Sequence, residues 1–374
     1  MRRNSSRVFA SAMLALGLAL RPLPAAAEEP VPTAVDPVEI FADGFRELTG
    51  IVVDGDGNVF VADGATGAVT RIAIDRTRTT IAKGLKWPVG LALDLNGRLL
   101  IAEERAGRVV RVEPNGSHTT ILSGIREPRW LTVRDDGTLY VSARHPTRDT
   151  DIDAERTDGA TGQEAILALS PTGVPSVFAT GFLDLQGLAV NHTTLFAAAV
   201  GRHGLRHVTG VIFQIAIQSD GTAGTMTPVG PTNAFRQPVG LVRDRLGEPY
   251  LTTPELRVKQ AHEDEREEGD EDPAHRAVAK LHLGDGHVSA YAQHLGSPQG
   301  LTFNAQGDLY VTDGGRVLRF LAPRAPTLSP PAFTSQSLLT VTGMTEPSAE
   351  VDLFLNDATT PVTVTADATG AFTA

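Results

Sequence analysis
There is no cysteine among the 374 residues of the chain. That excludes disulfides, a thiol nucleophile and a lipidated N-terminal cysteine. There is no surplus of basic charge either. The formal net charge is −11, and a nucleic-acid partner needs a basic face. No apolar run reaches the roughly 20 residues that span a bilayer, so no membrane span is expected. The sequence holds no Gly-x-Ser-x-Gly elbow and no His-Glu-x-x-His pattern. The acidity is largely local. His262–Asp272 carries eight acids and one arginine, and reads as a solvated, self-repelling loop.

What is present begins with Met1-Arg2-Arg3 and Arg7, then an apolar stretch of thirteen residues from Val8 to Leu20, then Ala25-Ala26-Ala27. This is the order of a secretory signal, assigned to 1–27. The expectation is export, to the periplasm, cell surface or exterior, with a short linker over 28–36. An exported chain without disulfides must draw its stability from its core and from a closed architecture.

Six stretches then restart with nearly the same phrase. They are Leu48-Thr49-Gly50-Ile51, Pro88-Val89-Gly90-Leu91, Pro128-Arg129-Trp130-Leu131, Leu185-Gln186-Gly187-Leu188, Pro238-Val239-Gly240-Leu241 and Pro298-Gln299-Gly300-Leu301. Each is followed by an apolar run, a polar turn and a second apolar run. The spacing is 40 residues, stretched to 53–60 by insertions, which is a propeller signature. In the second unit, four strands are expected at Leu91–Leu93, Leu99–Ala102, Arg108–Val112 and Thr119–Leu122. The first turn, Asp94-Leu95-Asn96-Gly97, is expected to be a tight primed turn, with Asn-Gly accepting positive φ.

The last unit stops after its third strand, Arg316-Val317-Leu318-Arg319-Phe320. The missing fourth strand is found at the other end of the chain: Val38-Glu39-Ile40-Phe41-Ala42-Asp43-Gly44-Phe45 matches Ser176-Val177-Phe178-Ala179-Thr180-Gly181-Phe182 of the third unit. The N-terminal strand is therefore expected to complete the last blade and close the ring, which removes two exposed sheet edges. The fold class expected is all-β, a six-bladed propeller over 37–322. A proline-rich linker over 323–331 follows. Residues 332–374 alternate and resemble the first half of a bacterial immunoglobulin-like domain. Such a domain needs about 85–100 residues, so the expectation is a partial, C-terminally truncated sandwich.

The phrase Pro-x-Gly-Leu, the Asp-Gly turn and strands such as Leu309-Tyr310-Val311-Thr312-Asp313 resemble two related groups. One is the NHL-repeat propellers. The other is the gluconolactonase and senescence-marker-protein family with its strictosidine-synthase-like cousins. The resemblance covers 37–322 and implies the blade architecture. It leaves activity open, because these folds host lactonases, lyases, quinoprotein oxidases and binding modules. The lactonase branch implies a divalent metal at the channel mouth, held by oxygen ligands just before the repeated glycine. The matching positions here are Thr49, Val89, Arg129, Gln186, Val239 and Gln299. None is a carboxylate and one is cationic, so a metal-dependent lactonase is not expected.

The three insertions, 144–163, 201–210 and 254–276, all fall between the second and third strands of their blades and are expected to raise one side of the mouth. Candidate ligand-binding residues at the mouth are Arg129, Trp130, Gln186, Gln299, Thr49, His145, Arg148, His203 and His207. Trp130 replaces a glycine present in the five other units, as a channel plug or as a ligand wall. Arg129 offers guanidinium donors to a carboxylate or phosphate. Asp149, Asp151 and Asp153 alternate like ligands of a calcium loop, although the glycine and glutamate of an EF-hand are missing. Asp63, Glu103 and Asp313 recur at the end of the second strand and are read as braces of the adjoining hairpin.

The function expected is an exported binding or interaction module whose mouth takes a polar small molecule, a carbohydrate or an extracellular protein. One alternative is an enzyme of the superfamily: a sugar-lactone hydrolase, a lyase or a quinoprotein sugar oxidase. In the last case Arg129 and Arg148 would pair the carboxylates of PQQ (pyrroloquinoline quinone), with His145 or His203 as base. Another is a calcium-associated scaffold of the cell surface.

Overall fold
The computed structural model describes residues 33–34, 38–144, 164–202, 210–231, 234–257 and 275–322, with short segments at 327–329, 341–344, 350–353, 362–367, 369 and 371–373. Leu48–Val53, Val59–Asp63, Ala68–Ile72 and Arg78–Ala82 form the first antiparallel sheet. The second sheet repeats it with Pro88–Leu93, Leu99–Glu103, Arg108–Val112 and His118–Ser123. The third is built from Leu131–Val133, Leu139–Arg144, Glu164–Leu169 and the first part of Pro175–Val190. The rest of that long strand opens the fourth, with Thr194–Arg202, Val211–Ile217 and Ala223–Val229. Leu241–Arg243, Pro249–Leu256, His275–Leu281 and Val288–Gln293 make the fifth. Pro298–Phe303, Leu309–Asp313 and Arg316–Phe320 make three strands of the sixth.

The fourth strand of that sixth sheet is Val38–Ala42, antiparallel to Arg316–Phe320, with Val38 opposite Phe320 and Ile40 opposite Leu318. The ring closes between the two ends of the propeller. Phe41, 3% exposed, seals the joint by meeting Tyr310 edge to face at 5.1 Å. Thr33–Ala34 reaches one blade further and pairs with Ala292–Gln293 of the fifth sheet.

The inner strands touch in an unbroken circuit, each against its neighbours and the sixth against the first. Six separate apolar cores result, one between each adjoining pair of sheets. The repeated glycine explains how close the circuit is. A methyl on Gly50 would overlap the Val89 carbonyl of the next blade. One on Gly187 would lie 2.6 Å from the Val239 carbonyl, and one on Gly300 2.6 Å from the Thr49 carbonyl. Real Cβ atoms do not approach that closely, so glycine is required where neighbouring inner strands cross. Hydroxyls on the second strands add to the joint. Thr252 Oγ1 accepts from Gly240 N and donates to the Gln299 carbonyl at 2.6 Å.

The turn at Asp94 differs from the primed turn expected of Asn-Gly. Asp94 N bonds to the Arg98 carbonyl and Gly97 N to the Asp94 carbonyl, so three residues form the loop and only Gly97 is left-handed, at φ +72°. Asp94 Oδ1 accepts from the amides of Asn96 and Arg98 at 2.9 Å each. Capping by the aspartate, rather than positive φ at the asparagine, selects this turn.

Near the C-terminus, Thr327–Ser329, Thr342–Met344 and Ala371–Thr373 form one small sheet, and Glu350–Leu353 pairs with Val362–Thr365. Phe372 and Ala366 are buried with Val364 packed on them.

Candidate functional site
The links between blades and the second-to-third-strand hairpins lie on one face. Gly64 N donates to the Glu47 carbonyl, and Arg105 N to the Lys86 carbonyl. The recurrent acids tie the two together. Asp63 accepts from the amides of Arg46 and Thr66. Glu103 accepts from Lys86 N at 2.8 Å and from Arg108 Nε at 2.7 Å. Asp313 accepts from Gly296 N and holds Arg316 at 2.8 Å.

The central channel opens on this face into two adjoining cavities. One of about 270 Å³ is lined from five blades by Glu47, Thr49, Trp87, Val89, Glu104, Arg129, Gln186, Ser297 and Gln299, among others. The other, about 320 Å³, is lined by Asp184, Gln186, Gln237, Val239, Pro254, Arg276, Ser297, Pro298 and Gln299. They share Gln186, Ser297 and Gln299. All six residues that precede the repeated glycine or Trp130 line one or both.

The lining is rich in side-chain amides. Gln237 and Gln299 make no side-chain hydrogen bond among the described residues, while Gln186 Nε2 donates to Asp184 Oδ1 at 2.6 Å. An amide offers donors and an acceptor at one position, which matches hydroxyl groups that do the same. Thr49 is buried, and its Oγ1 lies 2.9 Å from the Pro88 carbonyl, so its hydroxyl serves the joint between blades.

Arg129 was expected to face an anionic ligand. Instead its guanidinium sits among four carboxylates of this chain: Glu104 at 3.6 Å, Glu127 at 3.5 Å, and Glu164 and Asp184 each 3.3 Å from Nη1. Nη1 also reaches the Leu185 carbonyl at 3.3 Å. Arg144 adds a second cation on Glu127 at 3.0 Å. With its charge matched internally, Arg129 has little attraction left for a carboxylate such as those of PQQ. Glu164 is the least exposed carboxylate of the nest, its side chain 12% exposed. Burial pushes its carboxyl above the ordinary glutamate range, against the opposing pull of the Leu185 amide and Arg129.

Trp130 is 8% exposed and lines neither cavity. Its backbone amide donates to Ser142 Oγ at 2.9 Å, and its indole Nε1 has no hydrogen-bond partner among the described residues. His145, Arg148, His203, His207, Asp149, Asp151 and Asp153 lie outside the described residues. Among the described residues, no group of three or more His, Asp or Glu side chains is placed to hold a metal ion. The donor set at the mouth does not fit a divalent cation: the six positions before the glycine supply no carboxylate, and a guanidinium already fills the acidic nest.

One feature of the mouth escaped the sequence. Trp87, Glu127, Asp184 and Gln237 have φ of +58°, +46°, +48° and +47°. Each stands directly before the inner-strand phrase of its blade, in four consecutive blades. Three of them line the cavities. Trp87 also carries Arg105 over its ring, at 3.8 Å from the centroid.

No protein-family model matches the sequence, and no curated protein does. Solved structures do match. A gluconolactonase from Xanthomonas campestris superposes with a TM-score of 0.59 at 18% identity, over 80% of this chain and 98% of that one. The calcium-binding protein regucalcin from Agrobacterium tumefaciens gives 0.56 at 13% identity, over 76% and 93%. A carbohydrate-active enzyme of family AA12 from Trichoderma reesei gives 0.55 at 15%, over 80% and 99%. The chain has the gluconolactonase-like propeller fold.

Proposed function
We propose that the channel mouth binds a small, neutral, polyhydroxylated molecule of the sugar type. The observation that carries this is the cavity of about 320 Å³ with three glutamines, Gln186, Gln237 and Gln299, contributed by three successive blades. Its polar groups pair hydroxyls in both directions, and the Asp184 carboxylate on its wall disfavours an anion. Arg129 is held by carboxylates, and Arg276 Nη1 donates to the Gly296 carbonyl. The names of two fold neighbours, a gluconolactonase and a carbohydrate-active enzyme, fall in the same chemical class. The signal-like pattern over 1–27 supports placing this binding outside the cytoplasm.

Calorimetric titration with D-glucose, D-gluconolactone and D-gluconate tests the reading. The neutral sugar and the lactone bind and the carboxylate does not. Tighter binding of gluconate than of glucose overturns it. A second reading, turnover in the same cavity, draws support from Glu164 and Asp184, two carboxyls that share Arg129 Nη1 at 3.3 Å. Acid release from the lactone above the spontaneous rate distinguishes it from binding alone.

A further inference from the structure
Resting on the mouth as a sugar-type binding site, we infer that Trp87, Asp184 and Gln237 determine its specificity and are kept in left-handed backbone for the sake of their side chains.

Each blade-to-blade link has a left-handed position just after the outer strand. Gly44, Gly84, Gly124, Gly181 and Gly230 fill it in five links, with φ between +72° and +90°, and His294, at φ +59°, fills it in the sixth. The chain thus places glycine at this position in five links of six. A second left-handed position follows, directly before the inner-strand phrase. There the chain carries Trp87, Glu127, Asp184 and Gln237. A side chain at positive φ is disfavoured, most of all for a bulky one, and such strain persists where the surroundings require that residue.

Packing does not account for Gln237. It is exposed, and among the described residues its amide has no partner. What it does is line the larger cavity beside Asp184. Asp184 is fixed through Oδ1 by Gln186 and Arg129, which leaves Oδ2 without a partner among the described residues. Trp87 lines the smaller cavity. An acceptor-only carboxylate and a two-way amide then face the larger cavity, and an indole faces the smaller one that adjoins it. That combination accepts hydroxyl hydrogens and rejects a ligand carboxylate.

The test compares Gln237→Gly and Gln237→Ala with the unsubstituted chain, by thermal unfolding and by calorimetric titration with D-glucose and D-gluconolactone. Glycine removes both strain and amide, and alanine removes only the amide. We expect both variants to bind at least fivefold more weakly, and the glycine variant to unfold about 2 °C or more above the alanine variant. Arg76→Gly, at φ +68° in a turn away from both cavities, should leave binding unchanged. Undiminished binding by Gln237→Gly, or a midpoint at or below that of Gln237→Ala, overturns the inference while the mouth reading stands. Failure of the unsubstituted chain to bind either probe overturns the mouth reading and this inference with it.

Discussion

Thr312 Oγ1 donates to the Thr49 carbonyl at 2.7 Å across 263 residues of sequence. The same oxygen accepts from Gly300 N at 2.8 Å. Both partners lie where the sixth inner strand meets the first, so one hydroxyl satisfies an amide and a carbonyl at the seam of the ring. Thr312 is fully buried and water cannot replace it. Thr312→Val keeps the shape and strands both groups, at about 2 kcal/mol of unfolding free energy. Thr312→Ser should recover most of it. Chemical denaturation of the two variants checks this. Equal midpoints for valine and serine would show that shape, rather than the hydroxyl, holds the seam.

Arg129 offers a second test, because among the described residues it is the cation that reaches all four carboxylates of the nest. Replacing it with glutamine leaves Glu104, Glu127, Glu164 and Asp184 facing one another. The expected loss is about 2 to 3 kcal/mol at neutral pH, after allowing for the part of the nest open to solvent. Crowded carboxylates hold protons more tightly. The deficit of Arg129→Gln should therefore shrink as pH falls toward 4, where the acids neutralise one another's repulsion by protonation. Unfolding curves at pH 7 and pH 4 decide it. A deficit independent of pH would mean the guanidinium acts by packing alone.

The ring was legible in the sequence because its parts are copies. The phrase ending in Gly50, Gly90, Gly187, Gly240 and Gly300 marks the inner strands, and the likeness of Val38–Ala42 to the third unit's outer strand shows which end supplies the last one. Close approach of backbones leaves a written trace, since only glycine fits. The contents of the mouth leave less. The partners of Arg129 arrive from 35 and 55 residues downstream, at Glu164 and Asp184, and no periodicity joins them. The left-handed backbone at Trp87, Asp184 and Gln237 was invisible for a different reason. Positive φ is read from glycine or asparagine, and here it falls on a tryptophan, an aspartate and a glutamine. The junction of the third and fourth blades was hidden too. One strand, Pro175–Val190, runs through both, where the other blades are joined by links.

Glu164 makes stability depend on pH in a direction opposite to most carboxylates. Its folded pKa is raised above the ordinary value of 4.5, with burial the largest cause. The folded state therefore holds the proton more tightly than the unfolded chain. Its favourable contribution is complete below about 4.5 and is lost as pH rises through the higher folded value. Glutamine at this position stays neutral throughout and keeps an acceptor for the Leu185 amide. The stability of the native chain relative to Glu164→Gln should fall as pH is raised from 4 to 7. Denaturation of both proteins across that range gives the difference directly, with other titrating groups cancelling. Parallel curves would mean that the Arg129 contact and the Leu185 amide fully offset burial.

Asp184 is the carboxylate on the wall of the larger cavity, and the proposed binding site makes it the residue that sets which ligand charge is accepted. Its Oδ1 is taken by Gln186 and Arg129, and its backbone is already left-handed, a conformation asparagine adopts readily. Asp184→Asn is therefore nearly isosteric and should fold with little change in midpoint. It removes one negative charge from the cavity wall and replaces an acceptor with an amide that also donates. It also leaves Arg129 with one carboxylate fewer. Both changes favour an anion. The variant should bind D-gluconate at least tenfold better relative to D-glucose than the unsubstituted chain does, a shift of about 1.4 kcal/mol in relative affinity. Competition calorimetry with the two ligands measures the ratio without requiring either absolute affinity to be high. An unchanged ratio would remove Asp184 from the wall that contacts the ligand, and leave its role as a counter-charge to Arg129.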